Sequence, residues 1–125
     1  MLHRKDLLGL WDLVSHEKQL ANSKFVDFGT SATGSLVYLE NSFFSVSINW
    51  GAGSPKDFLF YSGEFEFLPS EQIVIHRARN SSEPWRIGEP LERKVFSLSG
   101  GDELLLEGEA KEGLVRVKWR RKTDI

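Results

Sequence analysis

His76 is the side chain in this sequence best suited to move a proton. Imidazole titrates near neutral pH, and His76 sits inside an alternating run, Val74-Ile75-His76-Arg77-Ala78. In that setting it could act as an acid or base, hydrogen-bond a ligand, or serve as a paired polar group in a core. Tyr61, at the start of Tyr61-Ser62-Gly63-Glu64-Phe65, could donate to a ligand oxygen or assist proton transfer. Arg93 and Lys94 are adjacent, so on a strand only one of them faces inward. An inward cation would call for an anionic partner such as a ligand carboxylate or phenolate. The other histidines, His3 and His16, lie far away in the first segment, and no spacing of His, Asp and Glu matches a metal site. With no cysteine in the chain, disulfides, thiolate–zinc sites, iron–sulfur clusters and thiol nucleophiles are excluded. Gly51-Ala52-Gly53 is not followed by the Lys-Ser/Thr of a phosphate loop. Neither a metal nor a cofactor is expected.

The elements that must hold these residues are strands. Apolar and polar residues alternate nearly everywhere, with strand candidates at 8–19, 34–40, 43–50, 58–68, 72–80, 91–98, 103–108 and 114–121, and a short extra candidate at 24–28. Gly, Pro, Asn and Ser clusters separate them, including 29–33, Asn41-Ser42, 51–55, Pro69-Ser70, 99–102 and 111–113. Eight strands with short links predict an antiparallel meander, and closure into a barrel removes its edges. The interior of such a barrel is either filled by side chains or holds one small ligand.

Registers follow from the turns. In the last hairpin, Glu107 is placed opposite Arg116, Glu103 opposite Arg120, Leu104 opposite Trp119, Leu106 opposite Val117 and Gly108 opposite Val115. The basic residues of 116–122 are thereby balanced by their acidic neighbours. In the hairpin turning at Asn41-Ser42, Val37, Leu39, Phe44, Val46, Ile48 and Trp50 share the inner face, leaving Tyr38 and Asn49 outside. In the middle hairpin, a loop at 68–71 sets Phe67 opposite Gln72, Phe65 opposite Val74, Gly63 opposite His76 and Tyr61 opposite Ala78. His76 then lies inside, across from a glycine that leaves room above it. Glu64, Glu66, Arg77 and Arg79 lie outside, with Ile73 and Ile75 among them. The one long connection, residues 81–90, carries Trp85 between Pro84 and Arg86, as a candidate lid over the barrel mouth.

Composition agrees with one globular domain over residues 1–125. Hydrophobic residues are 40% of the chain, enough for a core, and the net charge of -2 lacks the basic excess that nucleic-acid binding needs. Asp12 and Ser15 interrupt the apolar run of the first segment before it could serve as a secretory signal, and no run reaches the ~20 apolar residues of a membrane span. A cytoplasmic protein is expected.

Several of these residues resemble the lipocalin-like domain family of small bacterial and fungal proteins. Gly9-Leu10-Trp11 supplies the Gly-x-Trp of lipocalins. Gly34-Ser35-Leu36-Val37-Tyr38 with Phe44-Ser45-Val46 is similar to the family's second and third strands, and Tyr61-Ser62-Gly63-Glu64-Phe65 with His76 to its central hairpin. Pro84-Trp85 and then Arg93 match the following loop and strand. The chain departs from the family in having His76-Arg77 where two histidines are common, and in a short segment before Tyr61. The resemblance implies an eight-stranded antiparallel up-and-down β-barrel, lipocalin-like or calycin-type, with a cavity. It also implies that Trp11 plugs the closed end under a basic residue of the last strand (Lys118, Arg120 or Arg121, with Arg120 preferred), and it favours Arg93 over Lys94 as the inward cation.

The expected function is binding of a small, largely hydrophobic molecule with an anionic or hydrogen-bonding end. Phe44, Trp50, Tyr61, Phe65, His76, Trp85 and Arg93 would line its site. The alternative is an isomerase or cyclase of a small natural-product-like substrate, with His76 as acid/base. A third reading is a filled barrel that makes contact through exposed Ile73, Ile75 or Leu114 with a partner or, as a homodimer, a second copy.

Overall fold

Alternation of apolar and polar side chains closes into a barrel in the computed structural model, which describes residues 1–19, 25–27, 32–50, 58–110 and 113–123. The strands are β1 (Gly9–Gln19), β2 (Phe25–Asp27), β3 (Thr33–Tyr38), β4 (Phe43–Asn49), β5 (Phe58–Leu68), β6 (Ile73–Ser81), β7 (Pro90–Leu98), β8 (Glu103–Ala110) and β9 (Gly113–Arg121). From β3 to β9 each strand pairs antiparallel with the next, and β1 closes the ring by pairing with both β3 and β9. The result is an all-β, eight-stranded up-and-down barrel. β2 is the short extra strand, attached to the end of β1 at Glu17, Lys18 and Gln19. The turn expected at 51–55, most of the one at 29–33 and Lys111-Glu112 lie outside the described residues.

The last hairpin has the register its charges predict. Glu107 faces Arg116 and Glu103 faces Arg120, with ion pairs at 2.8 and 2.9 Å on the outer surface. Leu104, Trp119, Leu106 and Val117 turn inward. Because Trp119 points in, Arg120 must point out, and it is not the plug over Trp11. Arg121 takes that role. Its guanidinium lies 4.2 Å above the Trp11 ring and donates to the carbonyls of Leu8 and Asp6.

The other two hairpins differ from expectation in an instructive way. Between β3 and β4 the turn is one residue longer than Asn41-Ser42. The Leu39 N–H donates to Phe43 O, and Ser42 adopts a left-handed φ of 75°. Tyr38 therefore faces Phe44, and Leu36 faces Val46. A slip of one residue exchanges the faces of a strand, so Tyr38 and Leu36 are buried while Leu39 is exposed. Between β5 and β6 the slip is two residues, and the faces survive. Phe67 faces Val74, Phe65 faces His76, and Gly63 faces Ala78. Gly63 thus gives no room to His76. A bulge beside it brings the β6 backbone so close that a Cβ would strike Arg77 O. The shift is tied to Gln72, whose φ is 53° and whose side chain bonds both the N–H and the carbonyl of Leu2.

Those bonds help seal one end of the barrel. A 3-10 turn at Arg4–Asp6 crosses it, Leu2 and Leu7 are buried beneath, and Arg4 donates to Glu40 O and Ser42 Oγ in the β3–β4 turn. Trp11 is fully buried, its Nε1–H donating to Leu7 O. No helix among the described residues is long and apolar enough to cross a membrane.

Candidate functional site

His76 lies midway along β6, inside the barrel, and only 1% exposed. Phe44 stacks on its ring, with centroids 4.4 Å apart and planes 15° from parallel. Its Nε2 is 2.6 Å from the Tyr38 hydroxyl, and its Nδ1 is 3.4 Å from the Tyr61 hydroxyl. Neutral imidazole has one donor and one acceptor nitrogen. Tyr38 is fully buried and Nε2 is its described hydroxyl partner, so its O–H finds an acceptor only if Nε2 is unprotonated. Nδ1–H then points to Tyr61, and the Tyr61 O–H is free to donate onward. Burial, and secondarily the positive charge of Arg93, hold the His76 pKa well below its ordinary value. Burial and Tyr61 push the Tyr38 pKa well above its own, with Arg93 opposing. His76 and Tyr38 are both neutral near pH 7.

Beyond this layer the described inward residues lose cover, and this is the more open half of the barrel. On register, His16 (opposite Val117), Leu59 (opposite Ile48), Leu91 (opposite His76) and Arg93 (opposite Val74) all point inward, yet each is only half-buried. Trp50 continues the same inner row, its ring edge-on to His16 at 5.4 Å. His16 reaches the interior because β1 bulges between Leu13 and Ser15, which moves the inward position by one. The Trp50 Nε1–H is buried with no hydrogen-bond partner among the described residues.

Arg93, not Lys94, is the inward cation. Lys94 faces Ile73 and Glu107 on the outer side. The Arg93 side chain lies against Gly108, where an added Cβ would come within 2.5 Å of Nη1 and 2.7 Å of Cδ. Its described hydrogen bond runs from Nη1 to Glu92 O at 3.1 Å, and none of the described ion pairs involves it.

The structure thus brings Phe44, Tyr61, Phe65 and His76 into one packed cluster, and sets Trp50 and Arg93 in the open half. Trp85 joins neither. It is 58% exposed, donates to Glu83, and carries the Arg86 guanidinium 4.4 Å over its ring. The residue of that loop that touches an interior group is Arg86, 5.1 Å over the Tyr61 ring. Ile73, Ile75 and Leu114 are half-buried rather than exposed. Two residues were missed, Tyr38 and His16. Each was hidden by a one-residue irregularity, the long β3–β4 turn and the β1 bulge. Among the described residues, no three His, Asp or Glu side chains are placed to hold a metal ion.

No protein-family model matches the chain, and no curated protein matches it either.

Proposed function

We propose that the open half of the barrel binds a small, largely apolar molecule with one anionic or hydrogen-bond-accepting end, and that Arg93 receives that end. The observation that carries this reading is an inward arginine among apolar wall residues with no carboxylate paired to it among the described residues. A cation left without a counter-charge in such surroundings costs free energy that a bound anion would recover. The Trp50 Nε1–H supports the reading, since it is a buried donor with no acceptor among the described residues. The test is a fluorescence titration with cis-parinaric acid and its methyl ester. The acid should bind about tenfold more tightly than the ester, the scale of one charge-assisted contact, and Arg93→Met should erase the difference. Equal affinity for acid and ester in the unaltered protein, or no binding of either, overturns it.

An acid/base reading rests on a separate observation, the Tyr38–His76–Tyr61 chain. His76 is enclosed, so the group that meets a substrate in an isomerisation or cyclisation is the Tyr61 hydroxyl, which gives its proton to the substrate while the His76 Nδ1–H behind it stabilises the phenolate left on Tyr61. Turnover lost in Tyr61→Phe while probe binding persists would support it, and unchanged turnover would remove it.

A further inference from the structure

Among the described residues, the ladder between β7 and β8 stops short of the ends of its strands, as that between β1 and β3 also does. β7 and β8 pair from Lys94 opposite Glu107 to Leu98 opposite Glu103, and no further. Above that point residues 90–93 pair only with β6, and residues 108–110 only with β9. A cleft of about 530 Å³ occupies the gap, and its lining includes both outward side chains (Ile73, Glu92, Glu109) and inward ones (Leu91, Arg93). The cleft therefore lies at a break in the sheet, where side chains of both faces come to its surface. The Arg93 side chain lies across the gap against Gly108, and its described hydrogen bond runs to a neighbouring carbonyl. Arginine has several rotatable bonds, and a glycine opposite it sets no wall against their rotation.

We propose that the gap between β7 and β8 is a side entrance to the interior, closed by Arg93 lying over Gly108, and that it admits an apolar acid tail-first. This rests on the binding reading above. The apolar residues Ile73, Pro90, Leu91 and Leu114 line the passage for the tail. Glu92 and Glu109 on the outer rim disfavour an anionic end arriving first, so the anion follows and stops at the guanidinium. Arg93 is then both latch and receptor. The free edges of β7 and β8 let the two strands part without breaking a ladder bond.

The chain has no cysteine, so an introduced pair can be bridged without side reaction. Extending the register by two residues sets Glu92 opposite Glu109, both exposed and outward. In Glu92→Cys/Glu109→Cys, a one-carbon bis-thiosulfonate bridge, verified by mass, ties the strands together. Association of cis-parinaric acid is followed by stopped flow in the bridged and unbridged forms of this variant. Bridging should slow association about tenfold or more, since it blocks a required opening, and a reductant should restore the rate. Equal rates in the two forms overturn the entrance and leave the binding reading standing. No binding by the unaltered protein overturns both.

Discussion

The two ends of this barrel are built from the same alternating pattern and differ in how their polar groups are met. At the sealed end Trp11, Trp119, Leu104, Val74 and Tyr38 are all but fully buried, and the capping donors Trp11, Arg121 and Gln72 find acceptors in the chain, while the Trp119 indole N–H has none among the described residues. Trp11 donates to Leu7 O, Arg121 to Leu8 O and Asp6 O, and Gln72 clasps Leu2. At the open end the inward residues are half-buried, and among the described residues two donors, the Trp50 indole and the Arg93 guanidinium, have no acceptor or only a local carbonyl. Buried polar groups are nearly always satisfied in folded proteins. A donor left over on an inner wall is therefore informative, and the open half holds a charged one, Arg93, where the leftover donor of the sealed end, the Trp119 indole, is neutral.

The sharpest way to break this comparison is to truncate one tryptophan at each end. Trp11→Ala removes a fully buried indole, its hydrogen bond and the surface under Arg121, and should cost about 3–5 kcal/mol in urea unfolding. Trp50→Ala removes a half-buried ring with no hydrogen bond among the described residues, and should cost roughly half as much or less while weakening the binding of cis-parinaric acid. Equal stability losses would mean that the open end is as well packed as the sealed one.

Most of the barrel was legible in the sequence because alternation is a strong signal, and the eight strands lie where the pattern puts them. The β8–β9 hairpin was legible to the residue, since opposite charges on one face and large apolar groups on the other fit a single register. The β3–β4 hairpin was not. Its turn uses Ser42 in a left-handed conformation, which nothing in Glu40-Asn41-Ser42 singles out, and that one extra residue carried Tyr38 from the surface to the imidazole of His76. His16 was hidden in the same way by the β1 bulge. The β5–β6 hairpin slipped by two, so His76 kept its face and changed only its neighbour, from Gly63 to Phe65. Errors of even size preserve a site's inward residues, and errors of odd size exchange them. Arg93 shows another limit. Both rows of β7 are equally apolar, so the choice between Arg93 and Lys94 depends on Gly108, a residue on the neighbouring strand.

A smaller effect sharpens the comparison through pH. His76 sits where the packed layer meets the open one, and its folded pKa is depressed, first by burial and then by Arg93. Below the ordinary histidine range the unfolded chain takes up a proton that the folded one refuses, so the unfolded state binds more protons and stability falls as pH falls. The slope approaches about 1.4 kcal/mol per pH unit between the unfolded value near 6.5 and the lower folded one. Urea unfolding across pH 7 to 5 should show it, and His76→Phe should remove that component, whatever its own effect at pH 7. At the other extreme Tyr38, raised by burial, keeps its proton in the folded barrel, so stability should decline as pH climbs above about 10.

The smallest effects belong to the outer face, where charge sets register more than it adds stability. The Glu103–Arg120 and Glu107–Arg116 pairs are closely matched in length, but Arg120 is 62% exposed and Arg116 38%. Solvent screens both, and an exposed cross-strand pair contributes roughly 0.2–1 kcal/mol. Glu103→Gln should fall at the lower end of that range, Glu107→Gln higher, and both losses should shrink in high salt. Glu107 has a second role that Glu103 lacks, because with Lys94 it forms the last pairing before β7 and β8 separate. If the gap begins there for steric reasons, Glu107→Gln will alter stability and leave the association rate of cis-parinaric acid unchanged. If charge at this last rung holds the wall closed, the same variant will speed association. Stopped-flow rates at low and high salt distinguish the two, since only the second outcome is reproduced in the unaltered protein by adding salt.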